Sequence, residues 1–157
     1  MSAENIAKGV TLGHAEFSTS TEATSAIGSS TSIASIVNVT PPSQSREMVA
    51  NDTVSADTLW MQKLPGMIDA GEITFTLQYD GESGESANTL QTKFAAGTKD
   101  FWVVQLGDDT STSEAHSAYI APGYISDLGV QQVEKGQLIL QDATITLTDK
   151  ITFRPIS

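Results

Sequence analysis

The chain has 157 residues, 39% of them apolar, with 19 acidic and 8 basic side chains for a formal net charge of −11, and it contains no cysteine. That length fits one domain with a real core; the lack of cysteine excludes disulfides, Cys-based zinc sites and thiol catalysis. An acidic chain without a Lys/Arg-rich run also lacks the cations that neutralise phosphates in nonspecific nucleic-acid binding.

Residues 1–8 read as a flexible N-terminal arm, and GVTLGHAEF (9–17) as a short strand. Residues 18–32 are dense in Ser, Thr and Ala and read as a loop that would tolerate a strand edge. IASIVNVT (33–40) is β-branched and predicts a strand, which Pro41-Pro42 ends because proline removes a ladder donor. Residues 41–63 lose clear periodicity and predict a long loop. That loop carries Met48, Trp60 and Met61, large apolar side chains that are costly to leave in water. Such a segment is expected to order against a partner, with Trp60 as an anchor.

Residues 64–71 are a turn-rich lead-in in which Gly66 and Gly71 predict positive φ or a close backbone approach. The clearest strand follows at 72–80. Ile73, Phe75, Leu77 and Tyr79 fall on one face, the predicted core face, and Thr74, Thr76, Gln78 and Asp80 on the other, which stays wet. DGESGE (80–85) is a turn. Ser86 can cap a short helix over 87–96 with Leu90 and Phe94 on one side and Gly97 as its stop. FWVVQL (101–106) reads as a buried strand, and residues 107–114 as a polar turn.

HSAYIAPGYI (116–125) predicts a strand interrupted at Pro122-Gly123, with a separate strand over 128–133 and a tight turn at Glu134-Lys135-Gly136. ATITLT (143–148) alternates again, setting Ile145 and Leu147 against three threonines, and 151–154 closes the chain. About seven or eight strands and one helix predict a single mainly β domain over 1–157, a sandwich or barrel.

The sequence holds no recognisable catalytic constellation. The two histidines, His14 and His116, lie outside metal-ligand spacing of one another. Gly81-Glu82-Ser83-Gly84 begins like a nucleophile elbow, but Glu85 stands where the closing glycine belongs. Asp108-Asp109 lacks EF-hand spacing, and no P-loop or dinucleotide fingerprint is present. No catalytic residue, metal or cofactor is therefore expected. No apolar run approaches the ~20 residues of a membrane-spanning helix. The opening MSAEN lacks a basic stretch followed by an apolar one, so no signal peptide is expected.

LPGMIDAGEITFTLQY (64–79) resembles the tail tube proteins of siphophages, which carry a similar Pro-Gly turn and Gly-Glu lead-in to an alternating strand. The layout is similar too: an apolar strand, Pro/Ser-rich residues, a long loop with Ser45-Arg46-Glu47, then a short helix and late strands. The resemblance implies a small β-sandwich or barrel with one helix, whose copies close into a hexameric ring with a continuous inner β-barrel. Rings would stack into a tube. In this chain it implies an inter-ring loop with Arg46, Glu47, Met48, Trp60 and Met61, and a lumen-facing strand with Thr74, Thr76, Gln78 and Asp80. The implied partners are other copies, a tape measure protein, and tail terminator and tip proteins. DNA would pass the lumen without specific binding. The implied location is the virion tail, with assembly in the host cytoplasm. A bacteriocin, gene-transfer particle or type VI secretion tube would share this pattern. A monomeric carbohydrate-binding or adhesin sandwich is a further alternative, suggested by Ser/Thr richness and by Trp60, Tyr119 and Tyr124.

Overall fold

A computed structural model describes residues 9–19, 30–33, 36–51, 62–79, 86–107 and 117–154. These residues form strands β1 (Gly9–Glu16), β2 (Thr31–Ser32), β3 (Ile36–Thr40), β4 (Ser45–Asn51), β5 (Gln62–Asp69) and β6 (Glu72–Gln78). Helix α1 (Ser86–Ala96) follows, then β7 (Asp100–Gly107), β8 (Ser117–Val130), β9 (Leu140–Leu147) and β10 (Thr152–Arg154). An eight-stranded sheet runs β2-β1-β7-β8-β9-β6-β3, with β10 pairing β8 off this path, and β4 and β5 form a separate two-stranded ribbon. All the pairings are antiparallel.

Strand period decides which side chains meet. Successive residues of a strand face opposite sides of the sheet. In β6 this buries Ile73, Phe75 and Leu77, and in β9 Ala143, Ile145 and Leu147. These six share one core with Leu12 of β1 and with Trp102 and Val104 of β7. Strands from distant places in the sheet order thus bury the same core, so the sheet wraps around it as a mainly β, sandwich-like body. Strand β7 is apolar on both sides. Its Phe101 and Val103 join Ala15, Ala118 and Ile120 in a second cluster. The indole N–H of Trp102 donates to the Gly123 carbonyl at 3.1 Å, which satisfies the polar atom of a fully buried side chain.

Helix α1 covers the core with Ala87 and Leu90. Gly97, at φ 65°, ends it: the Gly97 N–H donates to the Phe94 carbonyl at 3.3 Å and the Thr98 N–H to the Lys93 carbonyl at 3.2 Å. This pair of bonds is a Schellman motif. Phe94, expected beside Leu90 on the buried side, is 39% exposed. The inward line steps by three, through residues 87, 90 and 93, and Lys93 takes the place that a step of four gives Phe94.

Three further expectations are corrected. Of the predicted 41–63 loop and its turn-rich lead-in, residues 45–51 and 62–69 are strand, β4 and β5, and 52–61 lie outside the described residues. Pro65 and Gly66 read as a turn, yet Pro65 pairs with Met48 where the register already shifts between Arg46 and Met48. A Cβ at Gly66 would meet the Glu47 carbonyl at 3.0 Å, so glycine allows that approach. Next, the break at Pro122-Gly123 and the separate 128–133 strand give way to one 14-residue strand, β8. Its residues 118–120 pair with β10 and 123–130 with β9. The Pro122 carbonyl accepts from the Thr148 N–H at 3.0 Å on the β9 side. Proline has no N–H to return that bond, and the omission falls where β8 passes from β10 to β9 as its neighbour. Lastly, Tyr79 leaves the core face: β6 ends at Gln78, and Tyr79 is 43% exposed.

Candidate functional site

The face of β3, β6, β9 and the second half of β8 that turns away from the core is polar in register. Thr76 pairs with Asn38 on one side and Asp142 on the other. Thr74 pairs with Thr40 and Thr144, and Thr144 in turn with Asp127. Glu72 pairs with Thr146, which pairs with Tyr124. A shift between Ile125 and Asp127 keeps Ile125 on the core side and Asp127 on the polar side. This face carries Glu72, Asp127 and Asp142 and no Lys or Arg at these register positions.

Asp142 organises one edge of the face. Its Oδ1 accepts from the Thr76 hydroxyl at 2.6 Å, and both its oxygens lie 2.9 Å from the Gln131 amide nitrogen. Thr76, expected to be wet, is buried by this arrangement, whereas Thr74 is half-buried and Gln78 exposed. Asp80, placed by sequence on the same face, lies outside the described residues.

Both edges of these four strands are open among the described residues. Strand β3 pairs only with β6. Residues 124–130 of β8 pair only with β9, because β7 runs out at the Asp100–Gly123 pair. Open edges present unpaired N–H and C=O groups that template pairing with another chain.

The ribbon is the second feature. Arg46, Glu47 and Met48 lie on β4, while Trp60 and Met61 lie outside the described residues. Met48 and Val49 are neighbours on opposite ribbon faces, as are Met67 and Ile68, and all four are exposed, Met67 to 82%. A lone two-stranded ribbon is marginal in water and needs a surface to pack on. At its base a cleft of about 390 Å³, lined by Gln44, Ile68, Asp69, Leu147 and Asp149, separates it from the sheet. Gly71, at φ 79°, turns the chain from β5 into β6, and a Cβ there would meet the Ser43 carbonyl.

A buried ionic cluster escaped the sequence reading. Asp100 is 1% exposed, and its Oδ2 lies 2.7 Å from the Lys93 ammonium and 3.7 Å from His14 Nδ1. Burial and then the Lys93 charge lower the His14 pKa below 6.5, against an opposing pull from Asp100. Lys93 on the last helical turn and an Asp just after Gly97 were the only hints. Among the described residues, no group of three or more His, Asp or Glu side chains is placed to hold a metal ion, and no helix is long and apolar enough to cross a membrane.

No protein-family model matches the chain, and no curated protein matches it by sequence. Solved structures do match. A chain of the anti-feeding prophage baseplate superposes with a TM-score of 0.70 at 12% identity, covering 99% of both chains. A chain from the tail of an empty gene transfer agent particle gives 0.64 at 12% identity over 98% of both. The SPP1 tail tube protein gives 0.61 at 8% identity, covering 93% of this chain and 77% of that one.

The chain has the tail-tube fold.

At such identities the tail-tube fold, rather than a shared sequence, is what these chains have in common. Among the described residues of this fold, the strand edges beside the polar face and the apolar ribbon are left uncovered.

Proposed function

We propose that the chain is a structural, non-catalytic subunit of a tail tube. One observation carries this reading: a four-stranded sheet with its core on one face, threonines and acids without cations on the other, and both edges open. Pairing β3 of one copy with the outer edge of β8 in the next joins these sheets and removes the edges. Repeated around a ring, the pairing puts Thr74, Gln78, Glu72, Asp127 and Asp142 on an inner wall. The sixfold symmetry of the baseplate and gene transfer agent tail structures supports a hexameric ring. An acidic, cation-free wall lets DNA pass without phosphate contacts, since like charges repel within a Debye length of about 8 Å. The ribbon is an inter-ring element, and the tube meets a tape measure protein within and terminator and tip proteins at its ends. A phage virion tail is the reading adopted from the siphophage resemblance. A sister reading, the tube of a contractile injection device, is favoured by a matching chain in an extracellular contractile injection system, with TM-score 0.66 at 12% identity.

Negative-stain microscopy of the purified chain is the test. Rings or long tubes are expected as concentration rises. A chain that stays strictly monomeric at high concentration, with terminator protein present, overturns the proposal. A sheath gene beside the coding gene would select the contractile device.

A further inference from the structure

We infer that the β4–β5 ribbon of one copy docks on the β8–β9 tip, residues 130–139, of the next copy along the tube; this rests on the proposed tube function.

Geometry sets the two surfaces apart. Strands β6 and β9 are paired from Glu72–Thr146 at one end to Gln78–Leu140 at the other. The ribbon joins β6 at the Glu72 end through Ala70 and Gly71, while the tip emerges at the Leu140 end. A strand of this length spans roughly 20–24 Å. The ribbon and the tip thus leave opposite ends of β6 and β9, so a contact between those ends of stacked copies is head-to-tail. A head-to-tail contact repeats without closing when it runs along an axis, as stacking requires.

Both surfaces are apolar and uncovered. The tip exposes Val130, Val133, Leu138, Ile139 and the adjoining Tyr79, with Leu138 71% exposed. Its backbone is nevertheless fixed. The Gln137 N–H donates to the Glu134 carbonyl at 3.2 Å across a turn with Gly136 at φ 86°. The Gln131 N–H donates to the Leu140 carbonyl at 2.9 Å, and the Tyr79 N–H to the Ile139 carbonyl at 2.8 Å. A tied-down apolar tip loses little freedom on binding, which favours association.

Charge selects the same pair. Copies of a chain with a net charge of −11 repel one another over most of their surface. The described ribbon balances Arg46 and Lys63 against Glu47 and Asp69, and the tip balances Lys135 against Glu134, so both patches are neutral. Neutral apolar patches at opposite ends can meet where acidic surfaces cannot.

The natural chain has no cysteine, so single thiols report cleanly. Met67→Cys and Leu138→Cys chains would be mixed, assembled, oxidised and run on a non-reducing gel. The expected product is a mixed dimer joined between positions 67 and 138, absent when either variant is assembled alone. Tubes that form without the mixed dimer, or with only 67–67 or 138–138 bridges, overturn the inference and leave the tube function standing. Separately, Leu138→Glu should keep rings and lose long tubes. Long tubes that persist in that variant also overturn it. A natural chain forming neither rings nor tubes removes the function and the inference together.

Discussion

The Lys93 ammonium lies 2.7 Å from Asp100 Oδ2, which ties the last turn of α1 to the first residue of β7. Asp100 sits in the fold interior, and Lys93 is the cation placed against its carboxylate. Replacing Lys93 with Met should cost about 3–5 kcal/mol, because it leaves the carboxylate buried without its cation. Lys93→Met combined with Asp100→Asn should recover part of that loss. Urea denaturation measures both; a single-variant loss under about 1 kcal/mol would show that solvent already screens the pair.

His14 gives the fold a pH dependence of known sign. Its pKa is lowered in the folded state, chiefly by burial, so the unfolded chain binds a proton more readily. Its contribution is fully present above the ordinary histidine value of about 6.5 and is lost as pH falls from there through the lower folded value. The urea midpoint of the natural chain should therefore fall on acidification faster than that of His14→Gln. Parallel midpoint curves from pH 7.5 to 5 would refute this; comparing the two chains also removes any contribution from His116.

Phe75 and Tyr79 were both predicted on the core face, and the structure separates them. Phe75→Ala should destabilise by about 3–5 kcal/mol, since the ring is 2% exposed in the main core. Tyr79→Ala should cost under about 1 kcal/mol in the isolated subunit, as surface substitutions do. Equal losses in thermal unfolding would return Tyr79 to the core.

Two glycines of β8 should respond oppositely to alanine. A Cβ on Gly123 would lie 2.6 Å from the Thr146 carbonyl oxygen, whereas one on Gly129 meets nothing within 4 Å. Gly123→Ala should cost about 2 kcal/mol or more, because backbone must move to admit it. Gly129→Ala should be neutral or slightly stabilising, since glycine is a poor strand residue. A tolerated Gly123→Ala would show that β8 and β9 approach less closely there.

Strands with one buried face were legible in the sequence. Residues 72–78 and 143–147 alternate because one side meets the core and the other does not. Strand β7 was legible as a short apolar run because both its faces are covered. The ribbon was hidden because β4 and β5 acquire their conformation from pairing with each other rather than from local period. The continuity of β8 was hidden because proline reads as a missing donor, and only the pairing shows that the strand runs on through it as its neighbours change. The placement of Asp127 and Asp142 beside Thr144 and Thr76 needed register, which alternation within one strand does not supply. The His14–Lys93–Asp100 cluster needed three separate elements to converge.

Strand β8 is shared between two neighbourhoods without a joint. At 14 residues it extends about 45 Å, held by β7 and β10 over its first part and by β9 over its second. A pull on either end is carried by covalent backbone and two sets of ladder bonds in series, with no intervening loop to stretch. Such a strand acts as a tie-rod, so that a tug at one border of the subunit is felt at the opposite border.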